Sequence, residues 1–236
     1  MSDTADMFFY HYRFRFGGGQ EKEFRLALDR HTLNLLSPGA ESCPSWAELA
    51  FCRCDHCLLE APQNKYCPAA ASLSGVVKAF GSAVSYEKTD ILIETAERTY
   101  AKHTTLQKGL SSLVGILMVT SGCPVMEKLK PMVRFHLPFA DETETKYRVM
   151  SMYLLAQFFR RRLGKEADWE MKELVRIYEN VRLVNRGIAK RLSGIKIEDA
   201  SVNSLLILDC FADAVNFSLN REQLADLEAL FGAHLK

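Results

Sequence analysis

Four cysteines crowd one short stretch of this chain, Cys52, Cys54, Cys57 and Cys67, in the spacing C-x-C-x2-C-x9-C. Four thiols this close in sequence can close a tetrahedral shell around one metal ion, and the backbone between them must then loop around the ion. The composition agrees: from Ser37 to Pro68 the chain turns to proline, cysteine and short polar residues, which predicts a loop. Two ligands separated by two residues can fold back on one ion, as Cys54 and Cys57 would, and Cys67 returns after a loop. Cys52 is the nearest fourth ligand, with Cys43 and Cys123 as alternatives. His56 is a further option, awkwardly placed between two ligands. Zinc is the expected metal, because a closed thiolate shell needs no redox chemistry and contributes directly to folding. An iron–sulfur cluster is the alternative: Cys67-Pro68 matches the Cys-Pro ending of ferredoxin motifs, although the C-x2-C-x2-C run is absent. Against both stands the plain reading that these are reduced thiols packed as small apolar side chains.

Three cysteines precede proline, at Cys43-Pro44, Cys67-Pro68 and Cys123-Pro124. Proline favours the first position of a helix, so each cysteine is expected near a helix N-terminus, where free backbone N–H groups stabilise a negative sulfur. Cys67 is then well suited as a thiolate ligand, and Cys43 and Cys123 become candidates for low-pKa thiols. Arg134 and His136 alternate in RFHLPF, expected to be extended because the residue before Pro138 is pushed out of the helical region. With Cys123 they form a possible reactive or anion site. Cys210 is expected in the core.

The rest of the chain reads as α+β. Phe8–Phe16 and Glu23–Leu28 flank three glycines and predict a hairpin. Asp90–Glu94 and Arg98–Thr104 predict a second, with a helix over 69–83 between the two. The expected fold is a small antiparallel sheet of two hairpins with one helix and a cysteine-rich metal loop, followed by a helical bundle. Helices are expected over 106–122 and 124–133. Another begins at Asp141, whose capping box with Glu144 is plain, and carries Tyr147, Met150, Leu154, Leu155 and Phe158 inward. Asp168 is expected to cap the next, on which Leu174, Ile177, Val181, Val184 and Ile188 repeat at helical spacing. The last two cover 202–219 and 221–231. Residues 1–104 and 105–236 are the expected regions, with a shared core possible because Thr104 runs into Leu106 with no linker.

Arg182, Arg186 and Lys190 share one helical face and can bind an anion, but no aromatic platform accompanies them, so a solvated face is the simpler reading. Asp209 and Asp213 are expected at the surface. With 30 basic and 29 acidic side chains the net charge is +1, which disfavours nucleic acid and membrane surfaces as partners. No apolar run approaches the roughly 18 residues of a membrane span. Asp3 and Asp6 stand where a signal peptide would be apolar, so a cytoplasmic protein with reduced thiols is expected. No nucleophile elbow, H-E-x-x-H, Walker or dinucleotide motif is present, which leaves enzymatic activity open and unassigned.

Several phrases together resemble a known family. They are Cys54-x2-Cys57, Tyr66-Cys67-Pro68, Glu97-Arg98-Thr99-Tyr100, Leu106-Gln107 with Gly109-Leu110-Ser111-Ser112-Leu113, Thr120-Ser121-Gly122-Cys123-Pro124, Phe135-His136-Leu137-Pro138-Phe139 and Tyr153-Leu154-Leu155-Ala156-Gln157. The chain is similar over most of its length to a family of bacterial proteins to which no function is assigned. The resemblance implies a bacterial, intracellular protein and carries no activity, partner or site residue. The first functional expectation is thus a non-enzymatic binding or adaptor protein with a structural zinc site. The second is a redox or thiol-dependent protein using Cys123 or an iron–sulfur cluster. A protein partner is implied by the first, no motif identifies it, and no pattern sets the oligomeric state.

Overall fold

A computed structural model describes residues 6–36, 43–61, 63–220 and 224–236, with side chains in 216–220 excepted. The predicted hairpins form strands β1 (Met7–Phe16) with β2 (Glu21–Asp29), and β3 (Lys88–Glu94) with β4 (Thr99–Thr105). They join edge to edge into one antiparallel sheet of order β2-β1-β3-β4. The first turn needs its glycines: Gly19 has φ +79°, a conformation that side chains other than glycine's rarely adopt. In the second turn Thr95 does the work, its Oγ1 accepting from the N–H groups of Glu97 and Arg98.

β1 alternates strictly. Phe8, Tyr10, Tyr12, Phe14 and Phe16 all point to one buried face. Two helices cover that face, α1 (Pro68–Phe80) and α2 (Leu106–Thr120). Phe80 meets Phe14 edge-on at 5.2 Å between ring centres. Gly109 lets α2 approach the sheet closely, since a Cβ there would fall 2.0 Å from Ile91 Cδ1.

After α2 the expected helix over 124–133 is broken. A 3-10 turn (Met126–Leu129) precedes a single α turn, α3 (Lys130–Arg134), started by Pro131. RFHLPF is not extended. Arg134 closes α3, and Phe139 at φ +62° turns the chain into α4 (Glu142–Arg162). The capping box is present, with Glu144 N donating to Asp141 Oδ1 at 2.8 Å and Asp141 N donating to Glu144 Oε2 at 2.9 Å. The inward face of α4 differs from expectation. Val149, Tyr153 and Gln157 are buried, whereas Tyr147, Leu155 and Phe158 are exposed. Hydrogen bonding rather than hydrophobicity sets this phase: Tyr153 Oη donates to Asp168 Oδ2, and Gln157 Oε1 accepts from Asp168 N.

Asp168 caps from a distance. Its Oδ2 accepts Glu173 N at 2.7 Å, inside α5 (Lys172–Ser193). α5 packs on α6 (Ala200–Asn220), and a short α7 (Ala225–Glu228) ends the helical region. The expected terminal helix begins partly outside the described residues, as does the first part of the expected loop at 37–42. Arg182 pairs with Asp209 and Asp213, and Arg186 with Asp209, while Arg186 and Lys190 stay exposed, so the cationic row of α5 is a solvated face partly paired with carboxylates of α6. Cys210 is exposed, because α6 turns Leu205, Ala212 and Val215 inward instead. Buried side chains of sheet and helices form one contiguous cluster from Phe8 to Val215.

Candidate functional site

The cysteine loop is fastened at both ends. Leu49 N donates to Lys65 O and Cys67 N to Ala47 O, both at 2.9 Å, and Glu48 bridges to Tyr66. Between these ties, Cys57 N donates to Cys54 O at 3.0 Å and closes the C-x2-C turn. Helix α5 holds the loop from behind. Arg191 is 1 % exposed, and its guanidinium donates to Trp46 O and Glu48 O at 2.7 Å and to Leu49 O at 3.4 Å. One turn earlier, Gly187 makes room for the loop: a Cβ there would stand 2.7 Å from Cys54 Sγ.

This frame gathers thiols from three places. Burial pushes the Cys54 thiol up to about 12, and the neighbouring thiols of Cys67, Cys57 and Cys123 push it the same way, while Arg191 opposes them. Burial also raises Cys67, against the N–H groups of Ala70 and Ala69 and the charge of Arg191. Cys67 is the N-cap of α1, with Pro68 first in the helix, although its sulfur makes no ideal capping hydrogen bond. Cys123 repeats the pattern after α2: burial raises it, and the N–H groups of Met126 and Val125 lower it. The Cys67 and Cys123 steps thus each set two backbone N–H groups near a sulfur, whereas Cys43-Pro44 leads only into a short 3-10 turn, Ser45–Ala47. The expected low pKa does not follow for Cys123, because desolvation outweighs those dipoles. Cys52 also lies against α5, with Sγ 4.0 Å from O of the same Gly187 that borders Cys54. Among the described residues no group of three or more His, Cys, Asp or Glu side chains is placed to hold a metal ion. Both ring nitrogens of His56 are buried without a hydrogen-bond partner among the described residues.

The possible site of Cys123, Arg134 and His136 is not assembled by any hydrogen bond or ion pair among the described residues. Arg134 lies over the Phe8 ring and 3.5 Å from Glu97. His136 points toward the sheet, where its Nε2 lies 3.0 Å from Tyr12 Oη and 2.9 Å from Ser112 Oγ. Those hydroxyls are themselves 3.0 Å apart. A serine beside a histidine invites a nucleophilic reading, but burial and then the charge of Arg148 push His136 down to about 3. A base that weak cannot take a serine proton near neutral pH, so the trio acts as a buried polar link between sheet, α2 and the 135–141 loop.

This link predicts a pH dependence. The unfolded chain protonates His136 below the ordinary imidazole value of 6.5, whereas the folded one does so only near 3. Stability from this group is complete above pH 6.5 and falls as pH drops toward 3, by at most about 1.4 kcal/mol per pH unit. Urea titrations between pH 7 and 4 are expected to show this decline, and His136→Gln is expected to flatten it. An equal slope in the variant would assign the decline to other groups.

Three features escaped the sequence reading: Arg191, Gly187 and the His136 link. The first had a signal, since Val181, Val184, Ile188 and Arg191 follow one helical stripe. The model of one protein family, described as a domain of unknown function (DUF6901), matches residues 10–232. No curated protein and no solved structure matches this chain.

Proposed function

The chain belongs to that family, and we propose that it is a non-enzymatic binding or adaptor protein whose cysteine loop is held by a structural zinc ion on Cys54, Cys57, Cys67 and Cys123. The observation that carries this reading is the loop geometry, in which Cys57 N closes the C-x2-C turn on Cys54 O and Cys67 N ties the far end to Ala47 O; in support, burial and then the thiols of Cys67, Cys57 and Cys123 act on Cys54. Cys123 is therefore the preferred fourth ligand and Cys52 the alternative. Neutral thiols gain little by touching one another, so no closed shell is expected before the cation is present. A divalent cation supplies what the site lacks: it deprotonates buried thiols and offsets their mutual repulsion. Arg191 and the four N–H groups at the Cys-Pro steps would carry part of the remaining negative charge. The redox alternative has less support, because a thiol attacks as thiolate and Cys123 is pushed toward the neutral form. Reduced thiols suit a cytoplasmic setting. No helix among the described residues is long and apolar enough to cross a membrane.

The test is metal content by mass spectrometry, with the visible spectrum, on untagged protein purified without oxygen. One zinc per chain and no colour is the expected result. Iron with a broad band near roughly 400 nm would replace this reading with the cluster. Metal-free protein with all its thiols titratable would end both.

A further inference from the structure

A cavity of about 410 Å³ lies between α2, α4, α5 and α6 and is closed on one side by the 135–141 loop. That volume falls within the range of small-molecule sites. Its deep wall is apolar, formed by Ile116, Val119, Leu208 and Phe211. Two polar groups break this wall in ways the fold alone does not explain. Asn185 is 2 % exposed and lines the cavity, yet its Oδ1 has no hydrogen-bond partner among the described residues. A buried amide oxygen without a donor costs about 1–3 kcal/mol unless something in the cavity supplies one. Arg148 also lines the cavity. Its Nη2 donates to Met132 O and Phe135 O at 3.0 Å, but no carboxylate among the described residues pairs with it.

The charge around the opening has a clear sign. Lys102 and Lys108 join Arg148 on the lining, and neither makes an ion pair among the described residues. The one acidic side chain on the lining, Asp141, is engaged by the N-terminus of α4. Phe139, beneath Lys102 at 5.7 Å, holds a left-handed backbone conformation that a phenylalanine adopts only when its surroundings impose it. Strain of this kind gathers at ligand sites.

We propose that this cavity binds a small amphipathic carboxylic acid, with its apolar body against Ile116, Val119, Leu208 and Phe211, its carboxylate toward Arg148, Lys102 and Lys108, and, in ligands that carry one, a hydroxyl or N–H donating to Asn185 Oδ1. A neutral apolar guest would fill the wall but leave the cations uncompensated. A cationic guest would meet like charge at the opening. The proposal is independent of the metal site, because none of the four proposed zinc ligands lines the cavity.

Calorimetry of the full chain with decanoate, decanol and decyltrimethylammonium, each well below its micelle concentration, tests it. Decanoate is expected to bind about tenfold or more tighter than decanol, a gap that narrows as salt screens the lysines. The trimethylammonium compound is expected not to bind. Lys102→Gln with Lys108→Gln alters only exposed side chains and is expected to weaken decanoate about tenfold while leaving decanol unchanged. Gly115→Leu is expected to fill the cavity and abolish binding, since a Cβ at Gly115 meets only Leu208 Cδ2, at 3.6 Å. A circular dichroism melt would show that this variant is folded. Equal binding of all three compounds, decanoate binding that survives Gly115→Leu in folded protein, or no binding of decanoate to the unaltered chain would each overturn the proposal.

Discussion

Replacing Arg191 with methionine is expected to lower stability by about 3 kcal/mol, because two well-made carbonyl hydrogen bonds vanish and each buried orphan costs about 1–3 kcal/mol. Part of that loss is offset, since the variant no longer desolvates a guanidinium. Methionine nearly fills the space, so the cost reads the polar interaction rather than a cavity. The three carbonyls belong to Trp46, Glu48 and Leu49, the residues that begin the cysteine loop. Without Arg191 the Trp46 and Leu49 carbonyls lose the guanidinium, while Glu48 O keeps the N–H of Phe51 at 3.1 Å. For a chain of this size the thermal midpoint is expected to fall by about 10 °C. Lysine at the same position is expected to recover part of the loss, because a single ammonium cannot reproduce the fork. Reaction of the loop thiols with a disulfide reagent is expected to quicken in the methionine variant. A midpoint shifted by less than about 1 °C would show that the carbonyls find other partners, and the clamp would lose its assigned role.

Removing the proposed metal is expected to be the second large effect. Structural zinc contributes about 10–16 kcal/mol in isolated finger peptides, which have little core of their own. Here Arg191, the bridge from Glu48 to Tyr66 and the helical core persist without it. A loss of about 3–5 kcal/mol, or at least about 10 °C in the midpoint, is therefore expected on full chelation and in Cys57→Ser. The loop is expected to open first, seen as faster proteolysis between Trp46 and Cys67. Cys123→Ser is expected to match Cys57→Ser, and Cys52→Ser, at the alternative ligand, to be milder. Cys210→Ser serves as the control, exposed on α6 and expected to melt as the unaltered protein does. Unchanged melting and proteolysis after complete chelation would reject a structural metal.

Much of the fold was legible along the chain. Strict alternation in β1, the glycine turn after it and the capping box at Asp141 are local rules, and each acts within a few residues. Where the reading erred, a distant group decided. The face of α4 was misassigned because Asp168, eleven residues beyond Gln157, fixes the helix through Tyr153 and Gln157. The carboxylate partners of Arg182 and Arg186 on α5 were not legible because they lie a helix away. The separation of Arg134 from His136 follows from one helical turn and one left-handed phenylalanine, neither visible in the alternation.

The cysteine spacing by itself determined that one loop would concentrate thiols and that three Cys-Pro steps would begin helical turns, because ligand spacing and proline geometry are properties of short segments. Only the tertiary structure decided which thiols share a neighbourhood. It set Cys123, more than fifty residues past Cys67, among the groups that act on Cys54, and laid both Cys52 and Cys54 against Gly187 of α5. The cavity with unpaired Asn185 likewise appears only when α2, α4, α5 and α6 meet. Packing and desolvation depend on what surrounds a group in space, and the chain order alone does not state it.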